Sequence, residues 1–185
     1  PYVVTAVNET TQSYMVAVTV AKNSAKAFTI FGFTTPSGSG TIDEAAHTVA
    51  VALPFGSDVI ALAPTILTTG VSISPASGVP QNFTNPLTYA VTADDGSEQK
   101  YVVTVTVAKD PAKVIKTFTI PQGTETINET THTIAVTTPF GTNVTALIPT
   151  IEIAGASVSP ASGIQQNFAS PVPYTVTAAD GTTQQ

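Results

Sequence analysis

The chain contains a long internal repeat. Residues 41–99 align without a gap to residues 126–184, and 34 of the 59 aligned positions are identical. The N-terminal residues repeat as well, because residues 2–26 align with residues 89–113. The copies are 85 residues apart, so each copy is long enough to form its own core. Solenoid repeats, in contrast, measure about 20 to 50 residues. The sequence therefore predicts tandem domains.

The alignment also predicts where these domains begin and end. Residues 1–25 correspond to the C-terminal hairpin of a preceding repeat, residues 26–112 form a complete repeat, and residues 113–185 form a repeat that lacks its last strand. In the complete repeat that strand is Tyr101–Ala108. The sequence leaves open whether the strand comes in cis, from a longer polypeptide, or in trans, from another subunit.

Alternating apolar residues predict the secondary structure. In residues 101–108, tyrosine or valine occupies every second position, which is the pattern of a strand with one buried face. The preceding Asp95-Gly96 pair suits a tight hairpin turn. About seven such strands per repeat, with a turn about every 8 to 12 residues, predict an all-β fold of tandem immunoglobulin-like β-sandwiches.

Composition narrows the classes of function. Six basic residues, all lysine, stand against twelve acidic ones, and the net charge of −6 argues against binding to the phosphate backbone of nucleic acids. The longest apolar runs are far shorter than the roughly 20 residues of a membrane-spanning helix. There is no cysteine for a disulfide or a thiolate metal site. No phosphate-binding loop or nucleophile motif is visible, which predicts a protein that is not an enzyme and has no cofactor.

Four motifs of the second repeat carry a resemblance to a known family. They are Thr126–Val136, Pro139–Gly141, Ser157–Gly163 and Tyr174–Gly181. Together they resemble the tandem immunoglobulin-like repeats of large bacterial cell-surface proteins and lipoproteins, which are especially common in Bacteroidetes and are often domains of unknown function. The resemblance implies an extracellular or cell-surface location. The first functional hypothesis is therefore a structural segment of a bacterial extracellular fibre, stalk or adhesin.

The N-terminal residues add a hypothesis about assembly. Residues 14–21 have the pattern of the strand that the second repeat lacks, and their inward positions are Tyr14, Val16, Val18 and Val20. An unpaired sheet edge is a site of association, so this segment of one subunit could complete the sandwich of the next. The predicted partners are neighbouring repeats or identical subunits, arranged head to tail.

The alternative hypothesis is a glycan- or surface-binding β-sandwich module of a secreted protein. β-sandwiches commonly bind sugars through exposed aromatic side chains, but this chain has no tryptophan and only 7% aromatic residues. Phe31 and Phe33 are the predicted ligand contacts, because they are assigned to a two-residue insertion of the first full repeat.

One glutamate and one histidine recur at the same spacing in both repeats. Glu44 and His47 correspond to Glu129 and His132, a spacing that suggests metal binding or acid-base chemistry. One histidine and one carboxylate per domain are too few for a closed zinc site. The prediction is therefore that no metal is bound and that the histidine lies at the edge of the core with a hydrogen-bond partner.

Lysines cluster around the predicted junctions between repeats. Lys22, Lys26, Lys109, Asp110 and Lys113 are the candidates for polar contacts that set the angle between repeats. The alternatives are a solvated hinge and an isopeptide bond between a strand-end lysine and a buried asparagine. Four Asn-x-Thr sequences also match the N-glycosylation pattern, which a threonine-rich chain produces by chance.

Overall fold

The computed structural model covers residues Pro1–Gln185, and its regular structure consists almost entirely of β-strands. The chain divides into two compact units. The first unit comprises residues 1–51 and 59–105, and the second comprises residues 52–58 and 106–185. The structure contains no helix that is long and apolar enough to cross a membrane.

Nine strands precede residue 108, and seven of them form one sheet. The strands are β1 (Tyr2–Thr5), β2 (Thr11–Tyr14), β3 (Phe28–Thr34), β4 (Ser37–Asp43), β5 (Thr48–Leu53), β6 (Thr65–Thr68), β7 (Ser72–Ser74), β8 (Leu87–Thr92) and β9 (Glu98–Val107). Strands β1 and β2 pair only with each other, as a hairpin. The other seven follow the order β6-β3-β4-β5-β9-β8-β7. Strand β9 therefore lies inside the sheet, between β5 and β8.

Strand β9 is held on both sides. Its first half pairs antiparallel with β8. On the other side, the Val102 N–H donates to the His47 carbonyl at 3.0 Å, and the Ala108 N–H donates to the Leu53 carbonyl at 2.9 Å. Between these two bonds Val103 has none of its surface exposed. The strand predicted from alternating apolar residues is thus a central element of the first sheet.

An aromatic cluster fills the core of the first unit. The Phe31 ring centroid lies 5.9 Å from that of Phe28, 5.7 Å from Phe33, 6.4 Å from Phe83 and 5.6 Å from Tyr89. The angles between these ring planes are 69°, 89°, 80° and 77°. Edge-to-face contacts of this kind are preferred by aromatic pairs and add about 0.5–1.5 kcal/mol each beyond the burial of their area.

The second unit contains three small sheets. Its strands are β10 (Val114–Thr119), β11 (Thr124–Asn128), β12 (Thr133–Thr137), β13 (Thr150–Ala154), β14 (Ser157–Ser159), β15 (Thr175–Thr177) and β16 (Thr183–Gln184), with one 3₁₀ turn at Val144–Ala146. They pair as β10-β13, β11-β12 and β14-β15-β16. The buried residues at the centre of this unit are Phe118, Ile120, Ile151 and Tyr174.

These features confirm the predicted all-β sandwich class, with seven strands in the large sheet. The physical basis is the period-two alternation, which gives each strand one face for the core. In β5 every second residue is buried and the residues between them are exposed. The domain boundaries at residues 25 and 112 remain predictions.

Gly70, which lies just before β7, stands where two backbones come close together. A Cβ atom at this position would lie 2.5 Å from Val91 Cγ1 and 2.6 Å from the Thr92 carbonyl oxygen. Because the second neighbour is backbone, the chain itself would have to move. We expect Gly70→Ala to lower the free energy of unfolding by about 1–3 kcal/mol, as overpacking does elsewhere. Urea denaturation measures the change, and an unchanged midpoint would contradict this close approach.

Candidate functional site

The two predicted ligand contacts are residues of the core. Phe31 and Phe33 are only 2% and 5% exposed, so the prediction that they contact a ligand is wrong. They occupy inward positions of β3, where Phe118 and Ile120 stand in the second copy. The extra residues of the first repeat come after them in the sequence. Strand alternation therefore points both rings into the core.

The exposed phenylalanine rings lie on a turn that occurs once in each repeat. Phe55 is 55% exposed in the turn 54–56, and Phe140 is fully exposed in the turn 139–141. Single exposed apolar residues are ordinary on protein surfaces. These two rings, however, occupy the same Pro-Phe-Gly turn in both repeats. They are the candidate ligand contacts of this chain.

Local hydrogen bonds give both turns the same geometry. The Ser57 N–H and hydroxyl both donate to the Pro54 carbonyl, at 3.2 Å and 2.7 Å. Thr142 makes the same two bonds to the Pro139 carbonyl, at 3.2 Å and 2.7 Å. In the first of these turns Gly56, which lies between Phe55 and Ser57, has a φ of 79°, a conformation that favours glycine. Because the turn is already ordered, binding at the ring would order little additional backbone.

Neutral polar groups follow Phe140 in the chain. The Asn143 side chain accepts hydrogen bonds from the Thr145 N–H at 3.0 Å and from the Thr145 hydroxyl at 2.8 Å. Asn143 thereby caps the 3₁₀ turn that begins at residue 144. An aromatic face near hydroxyl and amide groups can bind a ligand that has both apolar C–H surfaces and hydroxyl groups.

The recurring turns could have been noticed in the sequence. The Pro-Phe-Gly motif interrupts the alternating strand pattern in both copies. Proline and glycine predict a turn, and turns lie at the surface, so the phenylalanine between them is expected to be exposed. In the sequence, Pro139–Gly141 served only as one of the motifs that carry the family resemblance, and the exposure of its phenylalanine was missed.

The Glu–His pair of the first unit is organised around a tyrosine. The Tyr101 hydroxyl donates to Glu44 Oε2 at 2.6 Å, and the Tyr101 ring centroid lies 5.4 Å from that of His47, edge to face. Burial and the neighbouring Glu44 carboxylate raise the pKa of Tyr101 to about 12. By accepting this hydrogen bond, Glu44 helps to hold Tyr101 of β9 in place. Nowhere in the structure do three or more His, Asp or Glu side chains come together to hold a metal ion.

The corresponding pair of the second unit lines a groove. Glu129 and His132 are exposed, and they line a groove of about 650 Å³ together with apolar residues that include Ile134, Val136 and Tyr174. Identical residues of the two repeats thus have different surroundings.

Two of the predicted junction lysines bind within their own units. Lys26 Nζ donates to the Ser97 hydroxyl at 2.8 Å. Lys113 Nζ donates to the Thr182 hydroxyl at 3.0 Å. Each lysine thereby ties the start of its repeat to a hairpin turn of the same unit. Each of these two lysine side chains therefore has a hydrogen-bond partner inside its own unit.

The remaining junction residues are more open. Lys22 and Lys109 are exposed, and Asp110 accepts a hydrogen bond from the Ala112 N–H at 2.8 Å. Their role in setting an angle between repeats stays a prediction. No buried polar or charged residue is present, so no buried asparagine is available for the isopeptide bond that the sequence left open.

Fold and exposed turns together define this chain as an all-β sandwich module that presents aromatic rings on ordered turns. The family described as SGBP, N-terminal matches residues 28–105 and 115–185. The chain belongs to this family. No curated protein matches the chain.

Two solved structures from Bacteroides are similar to parts of the chain. One is a proposed glycoside hydrolase from Bacteroides thetaiotaomicron, with 22% identity, a TM-score of 0.43, and coverage of 71% of this chain and 34% of that one. The chain thus spans about a third of the length of that protein. The other is a proposed secreted protein from Bacteroides fragilis, with 17% identity, a TM-score of 0.38, and coverage of 45% of this chain and 95% of that one.

Proposed function

We propose that this chain is a non-catalytic glycan-binding module that lies at the bacterial cell surface or outside the cell. The observation that carries the proposal is the pair of exposed rings, Phe55 and Phe140, on matching turns of a chain that belongs to the SGBP N-terminal family. The alternative hypothesis of the sequence analysis is therefore favoured over the fibre. The contact residues differ from those first predicted, since Phe31 and Phe33 are buried.

The chemistry of the turn favours a neutral glycan. One face of a sugar ring carries C–H groups that can pack on an exposed Phe face. The sugar hydroxyls can then bond to hydroxyl and amide groups such as those of Thr142 and Asn143, which come two and three residues after Phe140. The net charge of −6 disfavours acidic polysaccharides. The ligand class is therefore a neutral polysaccharide.

Removing the ring of Phe140 tests this proposal. We expect Phe140→Ala to weaken binding to a neutral polysaccharide about tenfold, which corresponds to about 1.4 kcal/mol, because the sugar loses its apolar contact. Phe55→Ala is expected to act in the same direction. Affinity electrophoresis against a panel of neutral and acidic polysaccharides, followed by calorimetry on those that bind, measures the change.

Ile164→Ala is the control, because Ile164 is an apolar residue of the second unit that lies outside the turn and is as exposed, at 54%, as Phe55 is at 55%. It should leave the affinity unchanged. Binding that is equally weakened by the control, or no binding to any member of the panel, would refute the proposed role of the turns.

A structural role remains the second candidate. The observation that favours it is the similarity of the two copies, which are identical at 34 of 59 positions. Repeated segments of a stalk or fibre would share such similarity. A spacer of this kind would bind no polysaccharide, and Phe140→Ala would change nothing in the same assay. One experiment therefore separates the two candidates.

A further inference from the structure

We propose that a depression on the outer face of strands β3, β4 and β6 is a second site for a neutral glycan. Its volume is about 310 Å³, and its lining residues include Ile30, Gly32, Ser39 and Thr65. None of the lining residues belongs to the Pro-Phe-Gly turns. The proposal rests on the proposed function, because it takes the same class of ligand and adds a place on the first unit where that ligand binds.

Gly32 is the outward-facing residue at the centre of the depression. It lies on β3 between two buried phenylalanines. Ser39 of β4 pairs with it on one side, and Thr65 of β6 pairs with it on the other. A Cβ atom at residue 32 would lie 2.8 Å from the Gly38 carbonyl oxygen. A side chain could therefore fill the depression only if the backbone moved.

Two aliphatic side chains form an apolar surface beside this glycine. Ile30 and Leu67 lie opposite each other on β3 and β6 and are 50% and 54% exposed. The C–H face of a sugar ring could cover both side chains at once. Burying apolar surface is worth about 25 cal/mol per Å², so this contact would contribute to affinity.

Unpartnered hydroxyl groups lie around the apolar surface. The residues with hydroxyl groups that line the depression are all exposed, and their side chains make no hydrogen bond within the protein: Thr29, Thr34, Ser39 and Thr65. Neighbouring strands are about 4.8 Å apart, so Ser39 and Thr65 lie about 10 Å apart on either side of β3, which leaves room for one sugar ring. No lining residue is charged. The depression therefore suits a neutral sugar, which has an apolar face and hydroxyl groups at its edge.

The second unit differs at the three outward positions that make this surface apolar. Its residues there carry polar side chains, namely Thr117, Glu152 and Thr119. A carboxylate and two threonines thus stand where the first unit has its aliphatic pair and its glycine. The site is assigned to the first unit alone for this reason, and aligned residues of the second unit provide controls.

Exchanging the aliphatic pair tests the proposal. The probes are maltohexaose, cellohexaose, xylohexaose and mannohexaose, each titrated into the 185-residue chain and followed by NMR. At least one should bind and shift the amide signals of residues 29–34, 39 and 65. The double variant Ile30→Thr/Leu67→Glu, which carries the residues of the second unit, should lose these shifts and bind at this site at least tenfold more weakly. Val102→Glu introduces the same charge at an exposed valine of β9 outside the depression and should leave both unchanged.

Removing a single hydroxyl group is a milder test that leaves the apolar surface intact. Thr65→Ala should weaken binding at the depression about threefold to tenfold, because the sugar loses one hydrogen bond. Thr150→Ala makes the same change at the aligned residue of the second unit and should have no effect. Equal effects of the two substitutions would overturn the proposal.

The outcomes distinguish the depression from the exposed turns. If Phe140→Ala weakens binding and the Ile30/Leu67 exchange does not, the depression is not a site, although the proposed function stands. If the exchange weakens binding and the substitutions of both turns do not, the depression is the site and the turns are not. If no oligosaccharide or polysaccharide binds the unaltered chain, both proposals are wrong.

Discussion

Replacing Phe31 by alanine is expected to lower the free energy of unfolding by about 3–5 kcal/mol, the usual range for removing a buried phenylalanine. The Phe31 ring is 2% exposed and contacts Phe28, Phe33, Phe83 and Tyr89 edge to face. Alanine would leave a cavity among these rigid rings, which can close it only in part. Guanidinium denaturation, followed by tyrosine fluorescence and circular dichroism, measures the loss.

Phe55→Ala is the matched control for this experiment. It removes the same ring from an exposed turn, so the free energy of unfolding should change by no more than about 0.5 kcal/mol. The two variants together separate a core role from a ligand role. A Phe31→Ala protein of normal stability that had lost glycan binding would contradict the structure and restore the first prediction.

Raising the pH from 10 to 12 is expected to destabilise the first unit by up to about 2–3 kcal/mol for each of two tyrosines. Burial raises the pKa of Tyr89 to about 12, and burial together with Glu44 raises that of Tyr101 to about 12. In the unfolded chain both hydroxyls lose their protons near pH 10. Between pH 10 and 12 the unfolded state therefore binds fewer protons than the folded state, and stability falls as pH rises.

Single substitutions can assign this pH dependence. Tyr101→Phe should remove about half of the decrease in the urea midpoint between pH 9 and pH 12. Tyr2→Phe should leave the decrease intact, since Tyr2 is largely exposed. A decrease that survives in the double variant Tyr89→Phe/Tyr101→Phe would show that other groups cause it.

Tyr89 and Tyr101 also differ in the hydrogen bonding of their hydroxyl groups. Tyr101 donates to Glu44, whereas the buried Tyr89 hydroxyl has no hydrogen-bond partner. An unpaired buried hydroxyl is unfavourable. At neutral pH, Tyr89→Phe should therefore be less destabilising than Tyr101→Phe. The Tyr174 hydroxyl, at the corresponding position of the second unit, likewise has no partner.

Most of the fold could be predicted because strand formation follows a local pattern. The alternation in residues 101–108 and the Asp-Gly turn before it depend only on neighbours in the chain, and β9 and its hairpin lie there. Because the two copies align, a strand predicted in one copy is also predicted at the aligned residues of the other. The family that matches the chain also agrees with the bacterial surface resemblance of the repeats.

The candidate site could be predicted only in part. The two-residue insertion suggested Phe31 and Phe33 as ligand contacts, but the alternation of β3 places both rings in the core. The Pro-Phe-Gly turns were visible in the sequence, yet only the structure shows how exposed Phe55 and Phe140 are. Exposure depends on which other segments lie nearby, and the residues on either side in the chain do not contain that information.

The two Glu–His pairs show most directly what each level of description determines. By itself, the sequence determined that Glu44 and His47 recur as Glu129 and His132, because identity and spacing are properties of the chain. Only the tertiary structure decided which side chain meets the first pair: the Tyr101 hydroxyl donates to Glu44, and the Tyr101 ring packs edge to face on His47. The physical reason is that burial and hydrogen bonding depend on the neighbouring strand, and only folding brings β9 beside β5.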